Sequence, residues 1–298
     1  MALVFSDLYN IVADMIDRSE TEDITRVKQF VNMAARDVWC ARPWRERRKD
    51  AYVECAAPYT TGTATFTEDS TALTGVATVW STAFVGRKVA LSYSAPWYVM
   101  TTRVGDTSFT LNRAYAESTA SGSTYVVYND VATLASDVDS LIQVRIQNNG
   151  AFTTLSYGPQ RRMDEAFHLP GFAGVPTHYS LIENSSTGYM QIRLWPVPDD
   201  TYVLHYRYLA SFTDLSGDSD ACVVPENRRD LVIQRALAWA YQYVNEPGRA
   251  RDALEVYEHE LAKSWRVERD IIPLATYMRR FDQWSGRTGN PIPFPIAE

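Results

Sequence analysis

The side chains most often used for catalysis or metal binding are few in this chain and lie far apart. The four histidines and three cysteines are His168, His178, His205, His259, Cys40, Cys55 and Cys222. No two cysteines form a CxxC pair, and His259-Glu260 lacks the second histidine of an HExxH zinc motif. Because these residues do not recur at ligand spacing, we predict no metal site and no cofactor.

Two acidic pairs have the residue types for general acid and base work. Asp199-Asp200 and the pair Asp137 and Asp139 could in principle flank a substrate. The first pair lies in a Pro-rich turn, where Asp is favoured for backbone hydrogen bonding, and the second lies in a polar loop. The chain also has no GxxxxGK[ST] phosphate loop and no GxGxxG following a strand. We therefore expect no enzymatic activity.

Three aromatic residues form the remaining candidate binding feature. Trp80, Trp97 and Tyr98 lie in a β-rich stretch and could make a sugar-stacking platform, since flat rings pack on the apolar faces of sugars. Large aromatic side chains are mostly buried, so the favoured interpretation is that they belong to a barrel core. A carbohydrate-binding module stays open as an alternative function.

Charge argues against a protein that reads DNA sequence. The formal net charge is −7, and residues 51–224 hold sixteen acidic against nine basic residues. A sequence-reading DNA-binding protein carries a basic stripe, which is not evident here. The basic run consists of Arg42, Arg45, Arg47, Arg48 and Lys49. Glu46 and Asp50 dilute this run, and we interpret it as a solvated or interface-facing segment.

Composition is that of a globular protein in a reducing compartment. Of the 298 residues, 46% are hydrophobic and 22% are charged, which excludes a disordered or fibrous chain. An odd number of unpaired cysteines is not a disulfide scaffold. No segment approaches the roughly 20 apolar residues of a membrane helix, and no basic residues precede a signal-like apolar stretch.

Helical periodicity occurs at both ends of the chain. Residues from Phe5 to Ile16 predict a first helix with Ser6 as its N-cap, and the apolar series from Ile24 to Val38 predicts a second that ends before Pro43. Helices return after Pro225, over Leu231–Val244 and then Ala250–Trp265. These four helices are predicted to pack together as a bundle, with Trp39, Trp44, Trp239 and Trp265 packing within it and against the sheet.

The centre of the chain is rich in short β segments. Six strands are predicted at Thr63–Thr67, Thr71–Gly75, Arg87–Tyr93, Tyr98–Val104, Ser108–Arg113 and Thr124–Tyr128, as a small barrel or sandwich. A hairpin is predicted for Leu141–Gln147 and Phe152–Tyr157 across Asn149-Gly150. A short helix is predicted at Arg161–His168. Three further strands are predicted at His178–Glu183, Met190–Trp195 and Tyr202–Leu209.

The predicted fold class is therefore α+β, a helical bundle with a central β-rich region, a small β-barrel insertion and an extended C-terminal arm. The domain bounds are 1–50 and 225–270 for the bundle helices, 51–130 for the barrel, 131–224 for the hairpin and sheet region, and 271–298 for the arm. The arm has no helical periodicity, and it contains prolines, which disfavour a helix: Pro273, Pro291, Pro293 and Pro295.

Four stretches in this order carry a resemblance to a known family. They are Ile24–Val38 with Asn32 and Arg36, followed by Trp39 and Trp44; Gly62–Phe66 with Leu73-Thr74-Gly75, Thr78-Val79-Trp80 and Phe84-Val85-Gly86-Arg87; Ile192–Asp199 leading to Tyr202–Tyr208; and Val224-Pro225-Glu226 with Leu231–Tyr243 and Ala250–Leu261. Together the stretches resemble the head-to-tail adaptor, or connector, proteins of tailed bacteriophages, and the third is similar to the sheet hairpin of such adaptors.

The resemblance implies a virion protein at the head-tail junction, present in the host cytoplasm during assembly. It implies a ring, commonly of twelve subunits, that docks beneath the portal protein, extends the channel for double-stranded DNA and presents a surface to the tail or nozzle protein. DNA slides more freely through an acidic channel, because attraction to phosphates would act as a brake. No membrane partner is expected.

A C-terminal arm that becomes ordered on docking is predicted to grip the portal. Its anchor residues are Tyr277, Phe281, Trp284, Ile292 and Phe294. The alternative function within the same particle is another tail component, such as a nozzle, collar or tail-tube subunit.

Overall fold

The computed structural model describes residues 4–166, 171–184 and 187–271. The chain divides into two compact units, one formed by Met1–Arg47 with Phe212–Glu298 and the other by Arg48–Ser211. We call them the helical unit and the β unit. The structure contains both helices and many strands, one sheet being a curled half-barrel, in agreement with the predicted α+β class. The arm residues from Ile272 onward lie outside the described part of the chain.

The described helices and strands follow the chain in this order. The helices are α1 Phe5–Met15, α2 Thr21–Ala41, α3 Gln160–Ala166, α4 Arg229–Tyr243 and α5 Pro247–Ile271. The strands are β1 Arg48–Cys55, β2 Thr63–Phe66, β3 Ala72–Val76, β4 Lys88–Ala90, β5 Tyr98–Gly105, β6 Ser108–Leu111, β7 Ala120–Ser123, β8 Val126–Tyr128, β9 Val131–Thr133, β10 Val138–Asn148, β11 Ala151–Thr154, β12 Ser156–Tyr157, β13 His178–Glu183, β14 Met190–Trp195 and β15 Tyr202–Ala210.

Helix α4 is the centre of the helical unit. It packs against α1, α2 and α5. Its buried residues are Leu231, Val232, Ile233, Ala236, Leu237, Ala238 and Ala240, which lie on several sides of the helix. A helix that is apolar on several sides is stable only when other elements surround it. The apolar stripes of α1 and α2 bury Leu8, Val12, Val27 and Val31 on the same core.

The start of α1 corrects the prediction that Ser6 is an N-cap. The helix begins at Phe5, Val4 occupies the cap position, and no side chain caps it. Instead, the backbone amides of Phe5 and Ser6 donate to the carbonyl oxygens of Asp220 and Asp218, at 2.9 and 3.0 Å. A distant segment of the same unit therefore satisfies the amides that a local side chain usually satisfies.

The half-barrel of the β unit is a seven-stranded sheet in the order β7-β2-β3-β6-β5-β4-β8. All six predicted barrel strands are present. The two edge strands β7 and β8 are consecutive in the chain, so the sheet must curl to bring its edges together. The prediction placed residues from Ala51 onward in this barrel, but residues up to Cys55 belong to β1, which pairs with β15 in another sheet.

The remaining strands form two four-stranded sheets, β1-β15-β10-β11 and β12-β13-β14-β9. The predicted hairpin turn is confirmed: Asn149 and Gly150 have φ of 48° and 81°, and Asn148 pairs with Ala151. Positive φ at both turn positions matches the twist of the flanking strands.

Two strand predictions in this region are wrong. The predicted strand Phe152–Tyr157 ends at Thr154, and Ser156–Tyr157 instead pairs in parallel with β13. The hairpin that the resemblance implies for Ile192–Asp199 leading to Tyr202–Tyr208 does not form, because β14 and β15 lie in different sheets. Val197 in the connection is buried and bridges to Ala173, which directs the chain away from a tight turn.

Replacing Gly62 by alanine tests the tight construction of the half-barrel. Gly62 has a φ of +80°, and an added Cβ would lie 2.4 Å from the carbonyl oxygen of Val76. We expect Gly62→Ala to lower the free energy of unfolding by about 1–3 kcal/mol, since both the backbone conformation and the space oppose it. Gly105→Ala is the matched control, because nothing lies within 4 Å of a Cβ there. Equal urea midpoints for the two variants would contradict this account.

Candidate assembly interface

A buried arginine joins separate stretches of the helical unit. The Arg228 side chain is 5% exposed, and its Nη1 and Nη2 donate to Glu46 Oε2 and Glu268 Oε2, both at 2.8 Å. Its guanidinium also lies over the Trp44 ring, 4.1 Å from the centroid. Glu268 Oε1 accepts the backbone amide of Arg45 at 3.0 Å. The planar fork of arginine suits this two-sided pairing, which a lysine could not reproduce.

Burial and ion pairing shift the pKa of Glu46 in opposite directions. Partial burial acts to raise the pKa of Glu46, but the hydrogen bond from Arg228, together with its own backbone amide, outweighs burial and leaves the pKa lowered. A carboxylate with a lowered pKa stays ionised at neutral pH. It therefore contributes stability above its unfolded pKa, and that contribution is lost as the pH falls through the lower folded value.

Two of the four predicted packing tryptophans contact each other. The Trp44 and Trp265 rings meet edge to face with centroids 5.7 Å apart, and Trp44 Nε1 donates to the Val38 carbonyl at 2.7 Å. Trp39 is buried on α2. The guanidinium of Arg235 lies 4.7 Å from the ring centroid of Trp239, and Arg235 Nε donates to Asp37 Oδ2 at 2.7 Å. Packing of these tryptophans against the sheet stays a prediction.

The basic run at the end of α2 is not uniformly solvated or interface-facing. Arg47 is buried, and its Nη1 donates to the Arg42 carbonyl at 3.4 Å. Lys49 pairs with Asp137 at 2.7 Å. The prediction was therefore wrong for Arg47, because intramolecular acceptors hold a cation that the charge pattern alone placed in solvent.

Hydrogen bonds and ion pairs hold residues 212–224 against helix α2, and we call this segment the strap. Lys28 Nζ donates to Asp218 at 2.7 Å, and Arg36 Nη2 donates to both carboxylate oxygens of Asp214 at 2.7 Å. Between them, Asn32 accepts the amide of Leu215 at 2.8 Å and donates to its carbonyl at 2.9 Å. Lys28, Asn32 and Arg36 are four residues apart and share one helix face. Asn32 and Arg36, which help to carry the family resemblance, thus have a structural partner.

The β unit exposes aromatic and arginine side chains on one sheet face. Strand pairing places Tyr52, His205 and Arg145 in one row across β1, β15 and β10. Phe152 on β11 pairs with Gln147, two residues from Arg145, and therefore lies on the same face. Tyr52 is 67% exposed and Phe152 is 50% exposed. We call Tyr52, Arg145, Phe152 and His205 the aromatic face.

Contacts within the aromatic face hold it in place. The His205 ring lies 5.0 Å from the Phe152 ring and 6.2 Å from the Tyr52 ring, and Arg145 lies 5.2 Å above Phe152. His205 Nε2 donates to Gln147 Oε1 at 3.2 Å. Exposed aromatic residues with arginine are the composition of energetically important protein interfaces. This face therefore has the composition of a protein-binding surface.

The predicted sugar platform does not form as a set of three exposed rings. Trp80 and Tyr98 are 0% and 1% exposed, which confirms the barrel-core interpretation for both. Trp80 Nε1 donates to the Tyr125 hydroxyl at 2.9 Å within this core. Trp97 is half-buried, with Lys88 Nζ 4.3 Å from its ring centroid. Of the three predicted rings, only Trp97 is therefore partly accessible to a sugar.

The acidic pairs are engaged with neighbouring side chains. Asp199 Oδ1 accepts the Tyr202 hydroxyl at 2.6 Å, and burial, together with this carboxylate, raises the pKa of Tyr202 to about 12. Burial acts to raise the pKa of Asp137, but hydrogen bonds from Lys49 and Tyr208 outweigh it and lower the pKa. Among residues 4–166, 171–184 and 187–271, no group of three or more His, Cys, Asp or Glu could hold a metal ion. Within the same ranges, no helix is both long and apolar enough to cross a bilayer.

Sequence patterns alone missed the aromatic face. The strand at Tyr202–Leu209 was predicted, but its partner β1 was not, so the row of exposed side chains could not be assembled. The available signal was alternation in β15, where Tyr202, Leu204 and Tyr206 are buried and His205 points to the other face. The predicted arm anchors from Tyr277 to Phe294 lie outside the described residues.

Comparison with known protein families gives a match over most of the chain. The model described as SU10 adaptor protein matches residues 5–281, nearly the whole chain. Comparison with curated proteins finds no match. The matched range includes both the helical stretches and the β unit.

Removing Arg228 tests the buried junction of the helical unit. Arg228→Ala leaves Glu268 buried without its cation, and we expect the free energy of unfolding to fall by about 3–5 kcal/mol. Arg36→Ala is the control, since the Arg36–Asp214 pair is about half exposed and such pairs contribute roughly 0–1 kcal/mol. Urea unfolding followed by tryptophan fluorescence measures both. A loss for Arg228→Ala no larger than that for Arg36→Ala would refute the central role of the junction.

Proposed function

The chain belongs to the SU10 adaptor protein family, and from that premise we propose that it is the structural head-to-tail adaptor of a tailed phage. In this role it forms a ring, of twelve subunits, beneath the portal protein. The ring extends the DNA channel and provides the attachment surface for the tail or nozzle protein. The observation that carries the proposal is the family match over residues 5–281, which makes the chain a phage adaptor-type structural protein.

The charge distribution supports passage of DNA without binding. The chain has a net charge of −7, and residues 51–224 contain sixteen acidic and nine basic residues. Several basic side chains form ion pairs with carboxylates of the same chain, among them Arg228, Arg207 and Lys88. A channel wall that offers few unpaired cations does not hold phosphates. We also propose that the protein has no enzymatic activity and binds no cofactor, because its family suggests a structural role and its sequence has no phosphate loop and no HExxH motif.

Electron microscopy of the purified chain with and without its portal ring tests the adaptor role. We expect a closed ring of this chain stacked coaxially on the portal. The chain alone is the reference sample, because a monomer in isolation does not contradict a ring that forms only on the portal. A chain that never joins the portal, and instead binds tail subunits or glycans, would overturn the proposal.

The arm is proposed to grip the portal through Tyr277, Phe281, Trp284, Ile292 and Phe294. A chain truncated after Ile271 keeps every described helix, and we expect its affinity for portal rings to fall at least tenfold, because apolar anchors dominate such contacts. Sedimentation with portal rings measures the affinity. A second sample, the full chain with serine at the five anchors, separates loss of the anchors from loss of length.

Ring formation and portal binding are measured separately in this experiment. Unchanged far-ultraviolet circular dichroism confirms that the truncated chain is folded. If the truncated chain binds portal rings as tightly as the full chain does, the arm has no gripping role, although the adaptor function would stand.

A further inference from the structure

The half-barrel is joined to the rest of the β unit by two short connections. The chain enters it through residues 56–58, which follow β1, and leaves it through Asn129 and Asp130, which lie between β8 and β9. Tyr59 and Val127 exchange backbone hydrogen bonds at 2.8 and 2.9 Å, so the two connections lie side by side. Among the described strands, those of the half-barrel pair only with one another. A few connecting residues placed together in this way can act as a hinge.

The apolar cluster that spans this joint is smaller than the core of the half-barrel. The core includes Trp80, Tyr98 and Phe109. The cluster at the joint combines half-barrel residues with one residue of the β14–β15 connection, and its buried members are Ala90, Val126, Tyr128 and Val197. Because less apolar surface is buried at the joint, polar contacts contribute a larger share of its stability than they do inside the half-barrel.

Asp130 connects the two sides of the joint electrostatically. Its side chain is 3% exposed, and its Oδ2 accepts Lys88 Nζ from β4 of the half-barrel at 2.8 Å and Arg193 Nε from β14 at 3.2 Å. Arg193 Nη1 also donates to Asp164 Oδ1 on α3 at 2.7 Å. The backbone carbonyl of Asp130 accepts the Leu194 amide at 2.7 Å. One buried carboxylate therefore binds a cation from the half-barrel and a cation from the β12-β13-β14-β9 sheet.

Without the negative charge of Asp130, these two cations would repel each other. The side chains of Lys88 and Arg193 are 14% and 23% exposed, so water screens their charges poorly. Removing one partner from a buried ionic group leaves the remaining charge uncompensated. Arg193 retains Asp164, whereas Lys88 retains the Trp97 ring, whose centroid lies 4.3 Å from Nζ. The repulsion acts between the half-barrel and the sheet, so it favours separation of these two bodies over unfolding of either one.

We propose that Asp130 is an electrostatic latch that holds the half-barrel in one orientation on the β12-β13-β14-β9 sheet. When Asp130 loses its charge, the half-barrel turns as an intact body about the hinge formed by residues 56–58 and Asn129. The latch keeps the half-barrel pointing in one direction, and a surface that is already held in place loses less entropy when a partner binds. This inference concerns the β unit alone and does not depend on the proposed ring.

Hydrogen exchange in the full chain tests the latch. Asp130→Asn removes the charge and preserves the shape of the side chain. We expect two amides at the joint, those of Gly171 and Leu194, to exchange at least tenfold faster than in wild type, whereas the amides of Gly86 and Leu111 inside the half-barrel keep their rates. If all four amides accelerate by the same factor, Asp130 stabilises the whole β unit instead of the joint, and the latch is refuted. No acceleration at Gly171 and Leu194 refutes it as well.

Two further variants show whether Lys88 and Asp130 act as a pair. Lys88→Met removes the half-barrel side of the latch and should accelerate the same two amides. The double variant, Lys88→Met with Asp130→Asn, should accelerate them by less than the product of the two single effects, because both substitutions remove one interaction. A full product would show that the two residues act independently and would contradict the latch. Arg161→Met is the control, since the Arg161–Glu165 pair on α3 is 90% and 63% exposed and should not affect the joint.

A distance measurement separates turning of the half-barrel from local fraying at the joint. Spin labels are attached to p-acetylphenylalanine in place of Val79 in the half-barrel and Tyr157 on β12, which are 68% and 58% exposed. Double electron–electron resonance should give one narrow distance distribution without further substitution and a distribution at least twice as wide with Asp130→Asn. Equal widths would overturn the proposal. If Asp130→Asn does not fold, as judged by circular dichroism, Lys88→Met is measured in its place with the same expected result.

Discussion

The Arg228 guanidinium is the constraint on which the helical unit depends, because it is a charge that has been removed from water. Glu46 and Glu268 compensate it from chain positions that are far apart in sequence, and the Trp44 ring covers it. Burying an arginine is costly unless every neighbouring group is in place. The N-terminal and C-terminal stretches must therefore meet in one arrangement, since either stretch alone would leave an unpaired buried charge.

The same dependence on distant segments recurs along α1 and α2. The first amides of α1 find their acceptors at Asp218 and Asp220, and the polar face of α2 is satisfied by Asp214, Leu215 and Asp218. These contacts are individually weak where they are exposed. Together they fix the strap on helices α1 and α2 within the helical unit.

The β unit separates its buried and exposed aromatic residues by strand alternation. In the half-barrel, Trp80, Tyr98 and Phe109 fill the core, whereas in the β1-β15-β10-β11 sheet Tyr52 and Phe152 remain on the solvent side. Arg103 pairs with Asp106 and Arg207 pairs with Asp50, so these arginines add no unpaired positive charge to the β unit.

Local patterns determined much of this protein. Hydrophobic periodicity and residue type predicted α2, α4 and the six barrel strands. Asn149-Gly150 predicted the hairpin turn. The order of the stretches from Ile24 to Leu261 indicated the phage adaptor family. These features depend on residues close in sequence, whose backbone preferences and spacing can be read directly. Only the tertiary structure decided that β14 and β15 enter different sheets, that Ser6 does not cap α1, that Arg47 is buried and that Tyr52, His205 and Phe152 share a face. Each of these depends on strand partners or polar acceptors far away in the chain, and one strand or helix does not specify which distant segment will supply them.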